Sequence, residues 1–164
     1  MDVDTTRPYH LRAGEGRAVW HLGALLSFNA SGEDTGGRCW ANEQLGPRGM
    51  APPRHVHSRE DEAFYVLEGE LTFYVGEDTV PASAGSFLWA PRHVPHAFCV
   101  ESAQARFLAF ATPAGFEHFF FATGEPATAL TTPPPPSSPP DLDALVAALA
   151  GYGVEVVGPP PTPR

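Results

Sequence analysis

The 164-residue chain predicts an all-β domain, a sandwich or small antiparallel barrel, followed by one or two short C-terminal helices. Three observations predict it. Short aromatic and β-branched runs recur at near-regular intervals from about His21 to Ala111, each bounded by turn residues. No helical periodicity separates these runs, which excludes alternating β and α units and favours a closed or layered β architecture. Apolar spacing at the helical period begins only after Thr112. No internal repeat is evident, so a single barrel over about 20–112 is expected.

The strands are expected at 63–67, 71–75, 86–90 and 107–110. Glu68-Gly69-Glu70, Gly76-Glu77-Asp78, Ala84-Gly85 and Ala90-Pro91-Arg92 supply the turns between and around them. A helix follows over about 113–122, with Thr112 as N-cap, Pro113 at its first position, and Phe116, Phe119 and Phe120 on one face. Ten of the 19 prolines lie at or after Pro133, in two clusters. Proline lacks the backbone donor and fixes φ, so 124–140 reads as an extended linker and 151–164 as a terminal tail. Between them, Asp141 caps an amphipathic helix over 141–150, in which Leu142, Leu145, Val146 and Leu149 share a face and Gly151 marks the end. That face must dock on something.

Composition removes several classes of function. The formal charge is −9, with ten arginines, no lysine and no basic run, which argues against a nucleic-acid surface. Two cysteines, Cys39 and Cys99, do not make a disulfide framework and are expected as free thiols. Residues Met1 to His10 hold no apolar leader, and nowhere do 18 apolar residues run together. The expectation is a cytoplasmic protein with no membrane partner.

Four of the seven histidines fall between His55 and His96. His55 and His57 are two apart, so on a strand both rings point to one face. Glu62 leads the next apolar strand, and His96 follows the tight segment Pro91-Arg92-His93-Val94-Pro95. Imidazole and carboxylate suit one first-row divalent ion such as iron, nickel, manganese, cobalt, copper or zinc. A His-X-His pair alone is as readily two exposed loop residues. The full spacing is more specific: Gly49, five residues, His55-Val56-His57, four residues, Glu62, six residues, Gly69, and later Gly85, five residues, Pro91 and then His96.

Both stretches resemble the two conserved motifs of the cupin superfamily, in the right order. The resemblance implies a jelly-roll barrel of two antiparallel sheets, a metal at its centre, and a homodimer. Carried over residue by residue, it implies His55, His57, Glu62 and His96 as metal ligands. Glu60 and Asp61 compete for the carboxylate position, but Glu62 keeps the family spacing, and the other two are expected to face solvent. Two positions depart from the pattern: His93 stands where a glycine is usual, and Val100 where an asparagine is expected. His93 is expected as an exposed turn residue rather than a group at the barrel mouth. His10, His21 and His118 lie outside the motifs.

The surroundings of the histidines are aromatic. Alternation from Glu62 and His96 turns Phe64, Val66 and Phe98 inward, and Phe73, Trp89 and Phe110 are added as candidate pocket residues. An apolar cavity with one metal and no basic cluster suits a flat phenolic or polyketide-like molecule better than a sugar phosphate. Ala30 to Gly37, the segment from His57 to Gly69, Thr112 to Glu117 and Gly124 to Ala127 are similar to bacterial single-domain flavonol (quercetin) dioxygenase-like cupins. That similarity implies a dioxygenase for an enolisable aromatic molecule, with dioxygen as co-substrate and Glu62 as the catalytic proton acceptor. A non-oxidative cyclase or isomerase using the same metal, and a small-molecule-binding cupin without turnover, are the alternative readings.

Overall fold

The computed structural model describes residues 5–164. The first four residues, part of the segment read above for a leader, lie outside the described residues. Two antiparallel sheets face each other. The larger, in spatial order, holds β11 (Glu125–Pro126), β1 (Arg17–His21), β2 (Ala24–Ala30), β3 (Trp40–Pro47), β10 (Gln104–Thr112), β5 (Asp61–Glu68) and β8 (Phe87–Ala90). The smaller holds β12 (Val154–Gly158), β4 (Arg54–His57), β9 (His96–Val100), β6 (Glu70–Val75) and β7 (Asp78–Ser83). No described helix is long and apolar enough to cross a membrane.

The pleat sorts the side chains. On β5, Glu62, Phe64 and Val66 are buried between the sheets while Tyr65 is exposed, as a period of two requires. Phe64, Phe73, Phe98 and Phe107 form the centre of the core, with ring centroids 5.1–5.9 Å apart for four of the pairs. Aromatic pairs at this spacing add about 0.5–1.5 kcal/mol each beyond the area they bury. Gly69 turns β5 into β6 at φ +83°, and a Cβ there would sit 2.5 Å from the Gln104 carbonyl oxygen. The turn therefore admits only glycine, for both conformational and steric reasons.

Two expected elements differ. The 113–122 helix begins later, as α2 (Glu117–Thr123), and Thr112 is not its cap. Thr112 completes β10, and its hydroxyl donates to the Arg38 carbonyl at 2.9 Å, so it serves the sheet instead. Glu117, fully buried, takes over the terminus: its carboxylate accepts from the Gly115 N–H at 2.6 Å and from the Gly32 N–H at 2.7 Å. Gly32 opens a one-turn helix, α1 (Gly32–Thr35), which the sequence reading did not contain.

The second difference is the tail. Asp141 caps α3 (Leu142–Gly151) as expected, accepting from the Ala144 N–H at 3.0 Å. The chain then returns as β12, with Val154 opposite His57 and Val156 opposite His55. The prolines that mark a tail begin only at Pro159, and the short run Val154-Glu155-Val156-Val157 before them is a strand. This last strand flanks the histidine-bearing β4 and fixes α3 over the barrel end.

Candidate metal centre and cavity

His55 and His57 lie on β4, His96 opposite His55 on β9, and Glu62 on β5 of the facing sheet. Their ligand atoms all lie within 4.8 Å of one another, and all four residues are buried. Each imidazole is oriented by its Nδ1. His55 Nδ1 donates to the Pro53 carbonyl at 2.7 Å and His96 Nδ1 to the Val94 carbonyl at 3.2 Å. His57 Nδ1 donates to Glu60 Oε2 at 3.1 Å. A carbonyl only accepts, so Nδ1 carries a proton in His55 and His96, and each ring turns its Nε2 toward the centre.

Those Nε2 atoms have little to bond. His57 Nε2 is buried without a hydrogen-bond partner, 3.5 Å from Glu62 Oε2. His96 Nε2 stands 2.9 Å from the same oxygen. With Nδ1 already protonated, only a further proton or a cation holds a bare imidazole nitrogen that close to a carboxylate. Three converging Nε2 donors and one carboxylate fit a first-row divalent ion.

The charges of the four groups follow from their burial. Desolvation pushes the His55 imidazole down to about 3, with the neighbouring His96 and His57 rings adding to the effect. Burial also opposes charge on His57, but Glu62 and Glu60 outweigh it and leave its pKa raised. For Glu62, burial favours the neutral acid; His57 and the contact with His96 outweigh it and hold the carboxyl at about 2. Glu62 therefore reaches the centre as an anion.

Glu60 does not face solvent as expected, while Asp61 stays partly exposed in an ion pair with Arg92. Glu60 is 2 % exposed and locks the His57 tautomer. Asp61 accepts from Arg92 Nε at 3.1 Å, Arg92 Nη2 at 2.6 Å and the Arg92 backbone N–H at 2.9 Å, pinning the loop that leads to His96. The hydrogen bonds from Arg92 draw the Asp61 carboxyl down to about 2. Spacing distinguished the three neighbouring acids as ligands but not as supports, because a tight turn between β4 and β5 brings Glu60 back beneath His57. His93 is exposed, at φ +64°, and its N–H donates to the His57 carbonyl at 2.8 Å. The positive φ explains why a glycine is usual at that position.

An apolar cavity opens above the four residues, lined by His55, Glu62 and His96 at its floor. Of the six pocket candidates, Phe64 and Phe98 line it. Val66 and Phe73 are buried in the core behind that wall. Trp89 and Phe110 are outside, 47 % and 38 % exposed, because both sit opposite Ala63, on the face away from Glu62 and Phe64. The cavity also takes Phe116, Phe119 and Phe120 from the start of α2, and Leu142, Leu145, Val146 and Leu149 from α3. The docking site of the α3 apolar face is thus the barrel mouth. Trp40, Gln44 and His21 also line the wall. Trp40 and Gln44 were legible as inward positions of a strand, but nothing local marked His21.

Comparison with known proteins agrees with this geometry. Residues 42–111 match the model of the cupin domain family. They form a cupin domain. The chain is 29 % identical over 123 residues to a quercetin 2,3-dioxygenase of Bacillus subtilis, covering 75 % of this chain and 36 % of that protein. It is 30 % identical over 141 residues to a quercetin 2,3-dioxygenase of Aspergillus japonicus, covering 78 % and 39 %. The chain thus spans less than two fifths of the length of these relatives. Among solved structures, KdgF from a Halomonas species superposes with TM-score 0.59 at 17 % identity, over 68 % of this chain and 98 % of that one. An RmlC-like cupin from Shewanella frigidimarina gives 0.56 at 21 %, over 68 % and 96 %. At these identities the likeness concerns the fold of the cupin domain alone.

Two measurements check the centre and its wall. Glu60→Ala should weaken metal binding by about 10–100-fold in a chelator competition, since Glu60 only orients a ligand; an unchanged affinity would show that the His57–Glu60 contact is idle. Burial pushes His21 down to about 4, so the folded protein resists its protonation. A depressed histidine contributes stability that is fully present above pH 6.5 and is lost as pH falls toward 4. Urea titrations of His21→Phe should show a shallower acid loss over that window, by on the order of 2 kcal/mol. Equal slopes for the two proteins would refute this.

Proposed function

We propose that the cupin domain is a metal-dependent dioxygenase acting on an enolisable aromatic molecule of flavonol-like or polyketide-like type. The carrying observation is a three-histidine, one-glutamate cluster of which His55, Glu62 and His96 form the floor of a cavity whose other walls are almost wholly apolar and aromatic. Both curated relatives described above are named quercetin 2,3-dioxygenase, which supports the same chemistry.

His55, His57, Glu62 and His96 would hold the ion. Once bound, it supplies a Lewis-acidic, redox-capable centre for an enolisable substrate and for dioxygen. The chain's own residues do the rest. Glu62 directs Oε2 at His57 and His96, while its Oε1 makes no hydrogen bond to a described residue and belongs to a side chain that lines the cavity. Oε1 is therefore placed to accept the enol proton. Phe64, Phe98 and Phe116 hold a flat ring against the floor, and Leu145 and Leu149 of α3 shield it from water. The cavity encloses about 170 Å³, less than the roughly 300–1,000 Å³ of typical small-molecule sites. A multi-ring substrate would have its reacting ring at the floor and its far end at the mouth.

Full-length protein loaded in turn with iron, nickel, manganese, cobalt, copper and zinc, mixed anaerobically with a flavonol panel and then given oxygen, tests this reading. Oxygen uptake is expected with at least one redox-active metal, and Glu62→Gln should cut it by about 100-fold or more. No uptake with any metal would overturn the dioxygenase; turnover without oxygen would establish the non-oxidative enzyme instead.

We further read the outward face of β10, β5 and β8 as the contact between two copies of the chain. Tyr65, Phe87, Trp89 and Phe110 are exposed there, on a sheet whose last strand, β8, has a free edge that a second β8 can pair. Sedimentation should find a dimer that Trp89→Glu converts to monomer; a monomer at the outset, or a dimer that survives the change, would refute it.

A further inference from the structure

The cavity has a second polar pole that the metal centre does not use. His21 ends β1, and four strand spacings separate β1 from the Glu62-bearing β5 in the sheet. That is about 19 Å along the sheet and less across its curved wall. Leu22 and Leu142 line the same cavity while 52 % and 62 % exposed, so they mark its mouth, and His21 stands beside Leu22.

The hydrogen bonds around His21 fix its tautomer. The Thr123 hydroxyl donates its only proton to the Phe119 carbonyl at 2.8 Å. Toward His21 Nε2, 3.1 Å away, that oxygen can therefore only accept. His21 Nε2 must carry the proton, which leaves Nδ1 as a bare acceptor. No described residue hydrogen-bonds that Nδ1. The ring is clamped edge-on between Phe119 and Phe120, with centroids 5.3 Å from each. A neutral acceptor, fixed in orientation and set in an apolar wall, leaves a ligand little else to hydrogen-bond at that end. Gln44 of the same wall already gives an amide N–H to Asn42 Oδ1 at 3.2 Å, and Trp40, whose buried Nε1–H has no partner, can only donate.

We infer that His21 is the distal anchor of the cavity, accepting a hydrogen bond through Nδ1 from a hydroxyl group at the end of the ligand remote from the metal centre. The inference rests on the reading of this cavity as a small-molecule site and narrows its ligand. The ligand carries two separated hydroxyl functions, an enolisable one for the floor and a donor for the mouth. A ligand with an ether or a bare ring at the far end loses the second contact and leaves the imidazole acceptor desolvated without a partner, which is the stronger form of discrimination. His21 acts here as a specificity-determining residue; it touches no reacting atom.

Zinc has no redox change available, so zinc-loaded full-length protein is the form in which binding is read by itself. The probes are 4-propylphenol and 4-propylanisole, and separately 3,4′-dihydroxyflavone and 3-hydroxyflavone. The phenol should bind about tenfold more tightly than the anisole, and its binding should shift the ¹⁵N resonance of His21 Nδ1. His21→Phe should abolish the preference, and His21→Gln, which keeps an acceptor, should retain part of it. Equal binding of phenol and anisole, a preference that survives His21→Phe, or no binding of the phenol would each overturn the inference. The flavone pair separates this result from the substrate reading: a His21-dependent phenol preference without flavonol binding keeps the distal anchor and removes the flavonol.

Discussion

Placing three imidazoles and a carboxylate within 4.8 Å of one another inside an apolar barrel is the constraint on which the rest of the molecule depends. Each group loses water, and the histidines repel further charge on one another, as the depressed pKa of His55 shows. The surrounding backbone answers by tying every Nδ1 to an acceptor, at Pro53, Glu60 and Val94. The cluster then turns three imidazole nitrogens and one negative charge toward a single point. A cation at that point would offset the conflict, and the same Nδ1 contacts would orient the imidazoles toward it.

That constraint reaches outward through few residues. His55 and His57 stay aligned because β4 is paired with β9 on one side and β12 on the other. The approach to His96 is held by Asp61 and Arg92, and by the His93 N–H on the His57 carbonyl. His93 adopts positive φ to make that contact, at a small conformational cost for a residue with a Cβ. Above the centre, α2 and α3 contribute apolar side chains to the cavity, and Tyr152 joins them by donating to the His118 carbonyl at 3.3 Å. The C-terminal segment thus belongs to the site as much as the barrel does.

Much of this was legible in the sequence. Strand alternation turned Glu62, Phe64 and Val66 inward, and helical spacing with an Asp cap located α3. Those inferences rest on periods of 2 and 3.6, which survive in almost any tertiary setting. Trp89 and Phe110 lie opposite Ala63 across the ladder, on the outer face, a register that the fold alone reveals. Their aromatic character suggested a pocket, but it reflects an outer face.

The sequence by itself determined the β architecture, the helices after Thr112, and the spacing that singles out His55, His57, Glu62 and His96, because local period and motif spacing are properties of consecutive residues. The tertiary structure decided that Glu60 supports His57, that 154–158 is a strand beside β4, and that α3 closes the mouth over a cavity reaching His21. Each of those facts depends on pairing or burial between distant segments. His21 and Thr123 are 102 residues apart, and only the curvature of the sheet brings that imidazole, with one nitrogen already committed, into the same cavity as the His55, Glu62 and His96 side chains.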